Sequence, residues 1–113
     1  MPEMTETSKI ATTPEPPYCA VIFTSQRTAG DAGYGEMAQR MEELAATMPG
    51  FLGLEAARDG LGITVSYWES LAAIQHWHQQ TEHKLAQEKG YEIWYQSFKV
   101  RVCKVERDYG FER

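Results

Sequence analysis

No apolar run in this chain approaches the roughly 20 residues that a bilayer-spanning helix needs, so a transmembrane segment is not expected. Positive charge is also scarce. Eleven Lys and Arg stand against 16 Asp and Glu, a formal net charge of -5. Nucleic-acid surfaces need clustered cations. The one basic cluster, Lys99, Arg101, Lys104 and Arg107, is diluted by Glu106 and Asp108, so no nucleic-acid partner is expected. No basic segment followed by an apolar stretch opens the chain, which argues against a secretory signal. Cysteine is limited to Cys19 and Cys103, both inside apparent strands. They read as free thiols in a reducing compartment, and the expected location is the cytoplasm. No glycine loop carries the lysine of a phosphate cradle, and Gly30, Asp31 and Gly33 read as loop punctuation. His76, His78 and His83 form no i, i+4 pair, so no metal site is expected.

What is present describes one domain with one core. The chain has 113 residues, 42% of them hydrophobic and 12% aromatic, which excludes a disordered polypeptide. Residues 1–17 are rich in Thr, Glu and Pro and read as a flexible leader, or as an extended arm laid along a neighbouring surface; the domain proper is 18–113. Tyr18 to Ser25 is apolar on both alternating sets, so this strand must be covered on both faces and sits centrally in a sheet. Met37, Met41, Leu44, Ala45 and Met48 repeat on one helical face, and Pro49-Gly50 ends that helix. Phe51 to Arg58 and Ile63 to Trp68 read as a hairpin with a slightly long connection at Asp59-Gly60. Ser70 is placed to cap a helix from Leu71 to Lys89, ended by Gly90, and a last strand covers Ser97 to Glu106.

The order β-α-β-β-α-β is the ferredoxin-like α+β motif, with two helices on one face of a four-stranded antiparallel sheet. The other face would be bare in a monomer. Because the first strand is apolar on that side too, a second copy of the chain is the expected cover, giving a homodimer.

Several stretches then fall into a recognisable order. They are Pro49-Gly50-Phe51-Leu52-Gly53, Ser66-Tyr67-Trp68-Glu69-Ser70, Trp77, Glu82-His83-Lys84 with Ala86-Gln87, and Trp94-Tyr95. In order and spacing they resemble the ABM (antibiotic biosynthesis monooxygenase) domains, over nearly everything after Pro17. The resemblance implies a dimeric α+β barrel with a pocket between sheet and helices in each subunit. Members include cofactor-independent oxygenases of aromatic polyketides, quinol oxidases and haem-degrading enzymes. The haem-degrading branch uses an asparagine on the first strand, a tryptophan on the second helix and a histidine ten residues later. Trp77 matches that tryptophan, Gln26 stands nearest the asparagine, and Gln87 occupies the histidine position. Without an imidazole there, iron lacks an axial ligand.

On a helical wheel, Leu71, Ile74, His78, Thr81 and Leu85 form the stripe expected to face the sheet. Trp77, Gln80, Lys84 and Gln87 form an edge, while His76 and His83 point away. Trp77 is either core packing or the wall that stacks a flat substrate. His78 is either a buried histidine partnered by Glu82 or the general base. His83 is either solvent-facing or a second catalytic candidate. Phe23, Trp94 and Phe98 either fill the core or cap the pocket, and Gln87 joins them as a candidate substrate contact.

Put together, the chain reads as a cofactor-independent monooxygenase of a small electron-rich aromatic, a quinol or phenol. The alternatives are a non-catalytic dimeric module that binds a small hydrophobic molecule or serves as an interaction platform, and a haem-binding or haem-degrading protein.

Overall fold

The computed structural model describes residues 10–87 and 93–113, with only the backbone given for 82–87. Its elements are β1 (Tyr18–Arg27), α1 (Tyr34–Ala46), β2 (Phe51–Asp59), β3 (Leu61–Trp68), α2 (Leu71–Gln87) and β4 (Tyr95–Val105). The strands form one antiparallel sheet in the order β2-β3-β1-β4. This is the ferredoxin-like arrangement expected from the sequence, with β1 central because both of its alternating sets are apolar.

The register sorts side chains into rows across the face that carries the helices. From β2 to β4 these are Arg58–Gly62–Ser25–Phe98, Ala56–Thr64–Phe23–Val100, Leu54–Ser66–Val21–Val102 and Phe51–Trp68–Cys19–Lys104. Cys19, Trp68 and Ile74 make a buried core at the last row, with Val21, Met48, Phe51, Ala73 and Trp77 packed around it. Trp68 is 0% exposed, and its indole N–H donates to Ser66 Oγ at 2.9 Å, so neither buried polar atom is left unpaired. A core tryptophan of this kind carries about 3–5 kcal/mol. A second cluster joins Met37 of α1 to Trp94, with Tyr34, Met41 and Tyr95 around it. Both cysteines are free, and they project to opposite faces of the sheet.

Local chemistry sets the element ends. Ser70 caps α2 by accepting the Ala73 N–H at 3.1 Å. Asp31 does the corresponding work for α1: its carboxylate accepts from Gly33 N and Gly35 N at 3.1 Å each. The β2–β3 hairpin is tighter than expected, because Asp59 pairs with Leu61 and Gly60 alone turns the chain at φ 81°. β1 runs two residues beyond the expected end, and α1 starts three residues before Met37.

One expectation needs refining. The buried side of α2 is Ala73, Ile74, Trp77 and Thr81; of the expected stripe, Leu71 (61% exposed) and His78 line the cavity on its open side. A wheel cannot decide between neighbouring stripes when a tryptophan sits at the edge. Its large apolar area turned the helix toward Trp68. Residues 10–17 lie along the sheet's other face, where the Ala11 N–H donates to Glu55 Oε2 at 2.9 Å and Thr13 Oγ1 donates to Tyr18 Oη at 3.0 Å.

Candidate functional site

A cavity of about 510 Å³ lies between the sheet and the two helices. Its origin is on the floor, where Thr64 and Ser66 of β3 are too short to reach the helices. Met37, Met41 and Ala45 from α1 and Ile74 and Trp77 from α2 form the roof. The volume suits a small aromatic molecule. At one end Trp77 stacks on Trp68, centroids 5.7 Å apart and planes 28° apart. Because Leu71, Val100 and Val102 line the cavity and are also exposed, it opens along β4 and the start of α2.

At the other end is an aromatic group. Phe23 lies 5.5 Å from Tyr95 and 5.2 Å from Phe98, and Tyr95 and Phe98 lie 5.4 Å apart. Tyr95 and Phe98 share this face, although they are three residues apart, because the register shifts between Gln26 and Arg27. Tyr34 meets Tyr95 edge to face, ring centroids 5.7 Å apart. Burial, followed by the neighbouring Tyr34 hydroxyl, pushes the Tyr95 phenol well above its ordinary range, so it stays protonated at neutral pH.

Two arginines flank this pair. The Arg27 guanidinium sits 3.7 Å from the Tyr34 ring centroid and donates to the carbonyls of Gly30 at 3.0 Å and Asp31 at 3.2 Å. Arg58 lies across Gly62 and donates to Ser25 Oγ at 2.7 Å. Ser25 is 2% exposed, so this bond gives a buried hydroxyl its partner.

Of the residues singled out from the sequence, Phe23, Trp77, His78 and Phe98 line the cavity. Trp94 does not: it is 5% exposed in the core under Met37, with its indole N–H on the Ala32 carbonyl at 2.7 Å. The side chains of His83 and Gln87 lie outside the described residues, as does that of Glu82. Gln26 lines no part of the cavity and accepts from Ser97 Oγ at 3.3 Å instead, so no strand-one amide faces a haem here. Tyr34, Tyr95, Ser25 and Arg58 were not singled out. Strand parity was the available signal: counted from Trp68, it puts Gly62 on the helix-bearing face and leaves room there for a long neighbour.

Similarity to known proteins agrees with this geometry. The family model described as antibiotic biosynthesis monooxygenase matches residues 18–89. The Bacillus subtilis (strain 168) protein YqjZ, itself uncharacterised, is 57% identical over 105 residues, covering 91% of this chain and 92% of that protein. Among solved structures, PA3566 from Pseudomonas aeruginosa aligns with a TM-score of 0.63 at 23% identity, over 85% of this chain and 99% of that one. NE2512 from Nitrosomonas europaea, a protein of unknown function, aligns with a TM-score of 0.64 at 15% identity, over 88% and 98% respectively. These two likenesses speak for the fold. With a sheet, a helix pair and a cavity of the right kind, and a family match over most of its length, the chain belongs to the antibiotic biosynthesis monooxygenase family.

Proposed function

We propose that the chain is a small oxygenase that takes an electron-rich aromatic, a quinol or phenol, into this cavity and oxidises it with dioxygen without a protein-bound cofactor. The family's fold is that of monooxygenase-like or small-molecule-binding proteins. The observation that carries the finer reading is the cavity of about 510 Å³, with aromatic walls and a histidine among its lining. The ring of the substrate lies against Trp77 and Phe23, and His78 takes the phenolic proton. Histidine suits this role because its charge change falls near neutral pH. The phenolate gives one electron to dioxygen, and the resulting radical and superoxide combine at a ring carbon as a hydroperoxide. Loss of water then leaves a quinone, one oxygen atom staying on the ring and the other leaving as water. The protein's own contribution is to exclude water, orient the ring and accept the proton. The sheet's second face pairs with a second copy of the chain.

The test is oxygen uptake over a panel of quinols and anthrones by wild type, Trp77→Phe and His78→Ala. His78→Ala is expected to lower kcat about a hundredfold, and Trp77→Phe to raise KM more than it lowers kcat. No uptake by the wild type, or equal rates in all three proteins, overturns the reading. A second reading is a module that binds a small hydrophobic molecule without turnover. It is favoured by the exposure of His78, which sits at the open side of the cavity and not in a closed site. It predicts a rise in Tm with the aromatic present and no oxygen consumed.

A further inference from the structure

The floor of the cavity carries two hydroxyls that its apolar surroundings do not use. Thr64 and Ser66 are alternate residues of β3, so both face the helices, and both line the cavity. Each stands in an otherwise apolar row of the sheet. Ala56, Phe23 and Val100 share the row of Thr64, and Leu54, Val21 and Val102 share that of Ser66. Other polar groups around the cavity sit away from the floor. Glu42, Gln75 and His78 are exposed on the helices, Thr81 donates to the His78 carbonyl at 3.0 Å, and Tyr34 and Tyr95 belong to the aromatic end.

Ser66 is 9% exposed, and its Oγ accepts the Trp68 indole N–H at 2.9 Å. That bond fixes the oxygen but leaves its proton to give, because a hydroxyl can accept and donate at once. The indole also polarises the Ser66 O–H, which makes it a better donor. Among the described residues nothing accepts the Ser66 proton, and nothing hydrogen-bonds the half-buried Thr64 hydroxyl. A buried O–H without an acceptor costs free energy that an apolar group of the same shape avoids, and valine is that group for threonine.

We propose that Ser66 and Thr64 are specificity-determining residues, whose hydroxyls each donate to one of two oxygens on the bound aromatic and set its long axis along β3. The proposal rests on the cavity being the ligand site and adds the oxygen pattern that the site takes. Alternate residues of a strand stand roughly 7 Å apart. Oxygens on opposite sides of an aromatic ring reach both hydroxyls through one hydrogen bond at each end, whereas adjacent oxygens reach only one. Ser66 lies in the row next to Trp68, on which Trp77 stacks, and Thr64 shares its row with Phe23. The same axis therefore runs from the Trp77 wall toward the Phe23 wall.

The experiment measures binding to the full chain under argon, so that no turnover intervenes, by quenching of tryptophan fluorescence. The probes are 1,4-naphthalenediol, 1,2-naphthalenediol and 1,4-dimethylnaphthalene, in which methyl groups replace the hydroxyls at nearly equal size. Wild type should bind the 1,4-diol about tenfold or more tightly than the dimethyl compound, and about threefold or more tightly than the 1,2-diol. Thr64→Val keeps the shape of the floor. It should erase the preference between the diols, leave affinity for the dimethyl compound unchanged, and not lower the Tm of the free protein. Ser66→Ala takes the acceptor from the Trp68 indole as well, so it should lower Tm, and its folded fraction should lose the remaining advantage of the 1,4-diol. Thr64→Val decides the matter if Ser66→Ala does not fold. Equal affinity for the two diols, no advantage over the dimethyl compound, a diol preference that survives Thr64→Val, or a Tm lowered by that substitution overturns the proposal and leaves the cavity reading standing. Failure of all three probes to bind overturns both.

Discussion

At the residue scale the most informative contacts outside the cavity are those of the tyrosines on the sheet's second face. Tyr67 donates to Glu55 Oε1 at 2.7 Å, and Tyr18 donates to Asp108. Burial, then the bond to Glu55, pushes the Tyr67 phenol up to about 12. The Tyr18 phenol is raised too, chiefly by its bond to Asp108. The folded state therefore holds phenol protons that the unfolded chain has released, so stability must fall as pH rises. This contribution is fully present below about pH 10, where unfolded tyrosine begins to ionise, and is lost by about pH 12. Thermal melts across that window should show Tm falling steeply for wild type and less steeply for Tyr67→Phe. Parallel pH profiles for the two proteins would refute the assignment. None of this was legible in the sequence, because Tyr18 and Asp108 stand 90 positions apart and meet only through the register of the sheet.

At the element scale the sequence was read well wherever the signal was local. The methionine stripe of α1, the Ser70 cap and the central position of β1 depend on spacing within a few residues, and each has the expected form except that α1 ends at Ala46, before Met48. The rotation of α2 was lost because Leu71 and Trp77 compete for the same sheet surface. Only the partner Trp68, which stacks on Trp77, decides the contest. The place of Arg58 beside the aromatic group was hidden for a related reason: it depends on an absent side chain, at Gly62, on another strand. The junction at Gly50 was read as a helix stop and as part of the family resemblance, yet it also joins three elements. Its φ is 85°, its carbonyl accepts the Glu69 N–H at 2.8 Å, and a Cβ there would stand 2.7 Å from Ala73 Cβ. Gly50→Ala therefore meets an unfavourable backbone conformation and a clash with α2 together, and should cost about 2–4 kcal/mol. Urea unfolding is the measurement, and a loss smaller than that of an exposed surface substitution would show that α2 yields at this point.

At the scale of the whole molecule the open question is what covers the second face. Residues 10–17 and the chain after β4 shield Tyr18 and Ala20, but the centre stays apolar and accessible: Ile63 is 41% and Leu61 46% exposed, beside half-buried Ile22 and Val65. This patch is flanked by opposite charges. Lys99 and Arg101 lie on β4 at one edge, and Glu55 and Asp59 lie on β2 at the other. A two-fold axis along the strands would bury the apolar centre against its copy and lay the acidic edge of one sheet over the basic edge of its twin. A lysine at position 63 would place like charges together at the middle of that contact, where no carboxylate can reach them. Sedimentation should give a dimer for wild type, a monomer for Ile63→Lys, and weaker pairing of the wild type in high salt as the edge charges are screened. If Ile63→Lys still sediments as a dimer, the sheets meet elsewhere. The subunit would then have to tolerate an exposed apolar strand face that chains of this size normally cover.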